Sequence, residues 1–387
     1  MKLIIQPEDG VAPLLAGIKS AKKSIRIAIF RFDRKDVETA LKAAADRGVK
    51  VTALIAHANR GGEKVLRKLE LRCLDAGITV ARTDNDLIRY HGKYMLIDQK
   101  VLYMLSFNYT RQDIDHSRGF GIVTTRANWV QEAARLFGAD CTRTRYKPRT
   151  ETFVVSPANS RQALGTFLKR AKRQLLIYDP KISDKEMIRI LQERAKAGVE
   201  VKVIGSVNGR QPFEVQKLAG RRLHTRTIIR DRRQAFVGSQ SLRSPELDER
   251  REVGLIIPDA KAVKQLLETF EGDWISKREK SVSTVKEQDA GEGEREAMSD
   301  KQADKAIQVF EKSLDPLAVS VKKAVRLAVD KAGDDVLHDS DVKATMKKVV
   351  KKAVKKAVKE AVQEAAADAQ DAQDIKDSKD AKAAKEA

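Results

Sequence analysis

The sequence predicts an α/β fold of two pseudo-symmetric sandwich halves with mixed sheets, followed by a mostly helical C-terminal tail. Three observations predict it: the chain aligns with itself, each copy alternates helical and strand periodicities in the same order, and the composition changes near residue 277. From 91–141 to 224–274 the self-alignment is gapless at an offset of 133, pairing His91 with His224, Asp98 with Asp231, Ser106 with Ser239 and Asp140 with Asp273. Upstream the offset is 150 and pairs AKKSIRIAIF with AKRQLLIYDP and GVKVTALI with GVEVKVIG. The first copy therefore holds 17 extra residues, in the region of the helix-like EKVLRKLELRCLDAG.

Within each copy an amphipathic helix (VAPLLAGIKSAKKS; NSRQALGTFLKRAKRQ) precedes a strand (IRIAIF; LLIYD). A second helix (RKDVETALKAAADRG; DKEMIRILQERAKAG) and strand (VKVTALIA; VEVKVIGS) follow, with Gly48 and Gly198 where a helix C-cap is expected. Beyond the histidine come two strands (YMLID and VLYMLSF; TIIRD and AFVGS), then a closing apolar strand (GFGIVTT; EVGLIIP) and helix (ANWVQEAARLFGADC; AKAVKQLLETFEGDW). The expected organisation is a first half at 1–148, a second half at 149–276, a disordered linker at 277–304 and a Lys/Ala/Val-rich helical tail at 305–387. In that tail Val350, Val354, Val358 and Val362 advance by four, tracing an arc of roughly 120°. Eight lysines lie between 343 and 359, a pattern suited to anionic lipid, nucleic-acid phosphate or a partner helix.

A formal charge of +21 points to an anionic partner: nucleic acid, phospholipid head groups or a phosphorylated substrate. No apolar run approaches the roughly 20 residues of a membrane helix, and MKLIIQPEDG meets proline and two acids before a signal-peptide core could form. Cys73 and Cys141 lie far apart without CxxC spacing, against a disulfide framework and a structural zinc site. The expectation is a cytoplasmic protein, free or peripheral at the inner face of a membrane. GxGxxG and P-loop patterns are absent, so no nucleotide cofactor is expected.

The chemistry concentrates in HGKYMLIDQKVLYMLSFN and its copy. On a strand His91 and Lys93 are two apart and share a face, bringing an imidazole and an ammonium together. The chain returns with Ser106 and Asn108, again two apart. The set suits a phosphate whose charge grows during reaction. In the copy His224, Arg226, Ser239 and Ser241 take these places. His57 reads as a surface-loop histidine, with the lining of a substrate cleft as the alternative, His116 as either a structural histidine or one that enters the site, and Trp129 and Trp274 as core.

HxKx4D followed by a Ser-containing turn, in two copies, resembles the phospholipase D superfamily, whose motif continues into GSxN. IIQPEDGVAPLLAGIKSAKKSIRIAIFRFD and AAADRGVKVTALI are similar to the bacterial cardiolipin synthase branch, and the likeness spans about residues 1–275. It implies a metal-independent phosphodiesterase or phosphatidyltransferase acting on phospholipid, with a nuclease or a noncatalytic phosphate-binding protein as alternatives. One histidine attacks phosphorus and the other protonates the leaving alcohol, with His91 assigned as nucleophile and His224 as general acid. Lys93, Arg226, Ser106, Asn108, Ser239 and Ser241 would hold phosphate oxygens; Asp98 and Asp231 would be structural. Four positions depart from the pattern: Arg226 for lysine, Ser241 for asparagine, Leu105 for the motif glycine that Gly238 keeps, and Gly119 where the second copy has a supporting Glu252. Asp113 or Asp115 could stand in for that glutamate. Two internal copies make dimerisation unnecessary for a two-histidine site, and the oligomeric state stays open.

Overall fold

A computed structural model describes residues 1–57 and 63–285. The first half runs β1 (Lys2–Gln6), α1 (Ala12–Ser20), β2 (Ser24–Ile29), α2 (Lys35–Asp46), β3 (Lys50–Ile55), α3 (Glu63–Asp75), β4 (Thr79–Arg82), β5 (Arg89–Tyr90), β6 (Tyr94–Ile97), β7 (Val101–Leu105), α4 (Arg111–Asp115), β8 (Ser117–Thr124) and α5 (Ala127–Thr142). The second runs β9 (Phe153–Val155), α6 (Ser160–Lys169), β10 (Gln174–Ile182), α7 (Lys185–Lys196), β11 (Glu200–Val207), β12 (Glu214–Gln216), β13 (Arg222–Leu223), β14 (Arg226–Arg230), β15 (Gln234–Gly238), a π-helical turn at Pro245–Glu249, β16 (Arg250–Arg251), β17 (Val253–Ile257) and α8 (Ala260–Val285). Helix α8 continues past 276, where the second half was expected to end. The rest of the expected linker, from 286, and the tail lie outside the described residues.

The main sheet of the first half has the order β1-β8-β7-β6-β2-β3-β4, and that of the second β9-β17-β15-β14-β10-β11-β12. The two orders are the same once equivalent strands are matched. Each sheet is mixed: β2 pairs parallel with β3 and antiparallel with β6, as β10 does with β11 and β14. The edge strands β1 and β9 went unread in the sequence. Both are short and gain their definition from antiparallel pairing with β8 and β17.

Local rules account for the frame. Asp184 accepts the Met187 N–H at 3.0 Å and so caps α7; at the other end Gly198 takes φ +84°, the left-handed conformation that closes a helix. The turn from β6 to β7 has Asp98 and Gln99 at φ 53° and 52°, and the turn from β14 to β15 has Asp231 and Arg232 at 52° and 56°. These paired positive angles, which aspartate tolerates better than most side chains, lie in three-residue loops closed by the Lys100 N–H on the Ile97 carbonyl and the Arg233 N–H on the Arg230 carbonyl. The Asp98 carboxylate then accepts N–H bonds from Lys22, Lys23 and Ser24, and that of Asp231 from Lys172, Arg173 and Gln174. Each motif aspartate thus ties its hairpin to the start of the neighbouring strand, away from the histidine end.

The described residues within Met1–Glu287 form one unit with three large apolar clusters and a small one of Phe30, Ala56 and Tyr90. One lies beneath α1 and α2 on the first sheet and one beneath α6 and α7 on the second. The largest draws on both sheets together with α5 and α8, and contains Trp129 and Trp274. The halves also exchange backbone. Strand β5 pairs with β16 of the second half, and β13 pairs with β8 of the first. Flanking these exchanges, Arg118 bonds both Asp273 oxygens at 2.8 and 2.9 Å and the Gln6 carbonyl, while Arg251 bonds Asp140 and the Ser156 carbonyl, each at 3.1 Å. These two buried ion pairs are repeat equivalents of each other. Among the described residues no helix is long and apolar enough to cross a membrane.

Candidate active site

The strand exchange sets the two histidines. Because β5 lies beside β16, the His91 N–H meets the Arg251 carbonyl at 2.7 Å; because β13 lies beside β8, the His224 N–H meets the Arg118 carbonyl at 3.1 Å. Each histidine is therefore anchored by the opposite half. Both precede the regular strand, since β6 begins at Tyr94 and β14 at Arg226, and both are buried.

The side chains repeat the crossing. His91 Nδ1 lies 2.8 Å from Glu252 Oε2, a fully buried carboxylate of the second half. With Nδ1–H donating to that oxygen, Nε2 keeps its lone pair. The edge of the imidazole meets the Phe30 ring at 4.5 Å between centroids. His224 turns Nε2 toward Asp113 of the first half at 3.4 Å, and its buried Nδ1 has no hydrogen-bond partner among the described residues. Asp113 also accepts from Arg222 and from the backbone and side-chain amides of Asn108. Of the two acids offered for the absent glutamate, Asp113 thus faces a histidine, whereas Asp115 pairs with Arg34.

The cations are folded back in the same way. Lys93 Nζ donates to the His91 carbonyl and Arg226 Nη1 to the His224 carbonyl, each at 2.6 Å. Arg226 Nε also donates to Ser241 Oγ at 3.1 Å. The buried hydroxyls of Ser106 and Ser239 accept the N–H groups of Phe120 and Val253, locking the turn to the adjacent strand. Asn108 is drawn to Asp113, with its own Oδ1 buried and unpartnered. Leu105 occupies its non-glycine position because Gly121 opposite leaves room for it. In the second half an added Cβ at Gly238 would meet the Phe236 ring at 2.6 Å, so glycine is required there. His57 and His116 are exposed.

Charge unites the copies. Burial first, then Lys93 and Arg226, hold His91 well below the usual imidazole range. His224 is likewise lowered by burial, opposed by Asp113 and reinforced by Arg226, Arg222 and Lys93. Burial also pushes Lys93 down, against the pull of Glu252, and pushes Glu252 up, against Lys93. Burial raises Asp113, but His224, Arg222 and the Asn108 N–H outweigh it and leave that carboxyl below the usual range. Each histidine feels the cation of the other copy, as expected of one composite pocket.

Residues 14–141 match the family model described as cardiolipin synthase, PLD-like domain. This stretch is similar to a phospholipase D-like domain. Mouse mitochondrial cardiolipin hydrolase is 31% identical over 128 residues, which are 32% of this chain and 54% of that protein. The chain thus spans about half the length of this curated relative. Two solved structures share the fold over 70% of the chain. Polyphosphate kinase from Porphyromonas gingivalis has a TM-score of 0.58 at 23% identity, over 49% of its own length. Phosphatidylserine synthase from Haemophilus influenzae has a TM-score of 0.53 at 12% identity, over 85% of its length. At these identities the likeness concerns the fold alone. The second half carries the repeat equivalents of the matched motif, and two of its residues, Glu252 and Arg226, lie in the electrostatic surroundings of His91.

Two contributors to the pocket escaped the sequence. Phe30 looks like any strand-end aromatic until its contact with His91 is known. Asp179 corresponds in the repeat to Ile29, so the self-alignment gives it no polar counterpart.

Proposed function

We propose that the protein cleaves or transfers a phospholipid phosphodiester through a phosphohistidine on His91, with His224 as acid and then base. The observation that carries this is the 2.8 Å contact from His91 Nδ1 to buried Glu252 of the opposite half. It leaves Nε2 unprotonated and aimed, as a nucleophile requires. The Nε2 lone pair forms the N–P bond as the P–O bond to the leaving alcohol breaks, and that oxygen takes the proton of His224. Water or an acceptor alcohol then gives its proton to His224 as its oxygen attacks phosphorus, and the N–P electrons return to Nε2. Lys93 and Arg226 balance the charge that builds on the equatorial oxygens. A bound phosphate raises the depressed pKa values of His224 and Lys93, charging the acid and the clamp only when substrate is present. Phospholipid as substrate is supported by the matched family's description and the curated relative.

A second reading, a nuclease using the same chemistry, is favoured by Arg89, Arg222 and Arg250, which join Lys93 and Arg226 in the field of the histidines. Intact-protein mass spectrometry after acid-free quenching tests both. Wild type, His91→Ala and His224→Ala are incubated with phosphatidylglycerol and, separately, with a DNA oligonucleotide. The expected result is an adduct from the lipid alone, absent in His91→Ala and accumulating in His224→Ala. An adduct from the oligonucleotide alone transfers the mechanism to nucleic acid. No adduct and no turnover from either leaves a phosphate-binding protein.

A further inference from the structure

The motif arginine of the second half comes with an anchor that the first half lacks. Strand β10 keeps a regular parallel register with β11 as far as Asp179↔Gly205, then shifts before Ile182↔Val207. Such an irregularity re-aims a side chain and recurs beside active sites. Gly205 permits it: at φ +143° an added Cβ would lie 1.7 Å from the Asp179 carbonyl oxygen. The repeat equivalents, Ile29 and Ile55, continue an unbroken parallel ladder between β2 and β3.

The carboxylate placed there is buried and held on both oxygens, by the Leu242 N–H at 2.7 Å and the Lys181 N–H at 3.0 Å. Burial raises this carboxyl, opposed by the Leu242 N–H, Arg226, the Lys181 N–H and Ser241. Ser241 Oγ accepts from Arg226 Nε at 3.1 Å. The residue that meets the guanidinium is thus joined by one peptide bond to the Leu242 N–H that Asp179 holds. Arg226 Nη1 is occupied by the His224 carbonyl, while Nη2 has no hydrogen-bond partner among the described residues. We propose that Asp179 is a positioning residue that, through Ser241, locks the Arg226 fork with Nη2 presented to a phosphate oxygen. A compact lysine in the first half needs no such relay, because Nζ is steered by the His91 carbonyl and the Phe30 ring. Arg226, Ser241, Asp179 and Gly205 then form a matched set, and HTRTIIRD is a working half-site with its own way of holding a cation. The kinetic part rests on the reading of Arg226 as a phosphate clamp.

The test has two readouts on the full chain. In nuclear magnetic resonance the Arg226 Nε–H signal, identified by its loss in Arg226→Lys, exchanges slowly with solvent in wild type. It exchanges at least about tenfold faster in Asp179→Asn and in the milder Ser241→Ala. In steady-state kinetics with whichever substrate is turned over, Asp179→Asn lowers kcat by about tenfold to a hundredfold with KM within about threefold. In the Arg226→Lys background, which lacks the Nε that the relay holds, the same change costs no more than about threefold. Fast exchange in wild type, exchange unmoved by either variant, or an equal kcat loss in both backgrounds overturns the proposal. Exchange that responds as stated in a protein without turnover removes the enzymatic reading and leaves the anchor standing.

Discussion

The two halves share one strand order and one pattern of crossed backbone bonds, yet they finish their phosphate ends with different chemistry. The first presents buried Lys93 beside apolar Ile29 and an asparagine drawn to Asp113. The second presents Arg226 held by Ser241, with Asp179 behind it. Their supporting acids are not repeat equivalents either, since Glu252 aligns with Gly119 and Asp113 with Glu246. Glu252 commits one oxygen to His91, whereas Asp113 divides itself among His224, Arg222 and Asn108. Backbone symmetry therefore sets where each histidine enters the pocket. The side chains that give it a role diverge in compensating groups, and the divergence fits a committed nucleophile opposite a proton carrier.

The largest expected effect that could break this comparison comes from the acids. Glu252→Gln, which upsets the tautomer of His91, the proposed nucleophile, should lower kcat by about a thousandfold to ten-thousandfold, read by single-turnover kinetics. Asp113→Asn should cost only about tenfold to a hundredfold, and equal losses would mean that the two acids do the same job. Next come the repeat-equivalent ion pairs between halves. Arg251→Leu strands the buried Asp140 carboxylate and should cost about 3–5 kcal/mol in urea denaturation. Arg118→Leu should cost less, because the half-buried Asp273 keeps the Tyr178 hydroxyl.

Smaller is the displacement of the pH profile. A neutral nucleophile gains activity as pH rises through its pKa, and a protonated acid loses activity as pH rises through its own. Both histidines are depressed, so the kcat/KM optimum should fall on the acid side of about 6.5. Asp113→Asn removes a charge that raises His224 and should move the alkaline limb further down. The smallest effect concerns Asp140, whose carboxyl burial pushes up to about 6 despite Arg251. Between the ordinary carboxyl value of 3.8 and about 6 the folded chain keeps a proton that the unfolded chain has released. That contribution to stability is full below the window, declines as pH rises through it and is gone above it. Asp140→Asn should flatten this slope in melts compared with wild type.

Much of the fold was legible because a repeat doubles every weak signal: a helix or strand pattern that recurs at a fixed offset is seldom accidental. The mixed sheets and Gly48 and Gly198 as caps followed from periodicity and turn chemistry, whereas the motif aspartates, which the sequence reads as strand residues facing away from the histidines, occupy the hairpin turns. Edge strands β1 and β9 did not, since a few apolar residues at a boundary carry no period. In the site, both histidines and their cations could be named, but the crossing could not. Self-alignment places Glu252 beside its own copy's motif, and only the pairing of β5 with β16 delivers it to His91. Asp179 was hidden for the opposite reason: its aligned partner is an isoleucine, and a comparison of copies discards what only one of them has.

The crossed backbone bonds have a further consequence for motion. The His91 and His224 N–H groups are each held by a carbonyl of the other half, so neither is released unless the halves separate, and separation releases both. Amide hydrogen exchange at the two positions should therefore proceed at one shared, slow rate, that of opening the whole unit. The site has no half-open state in which one histidine stays poised while the other is free.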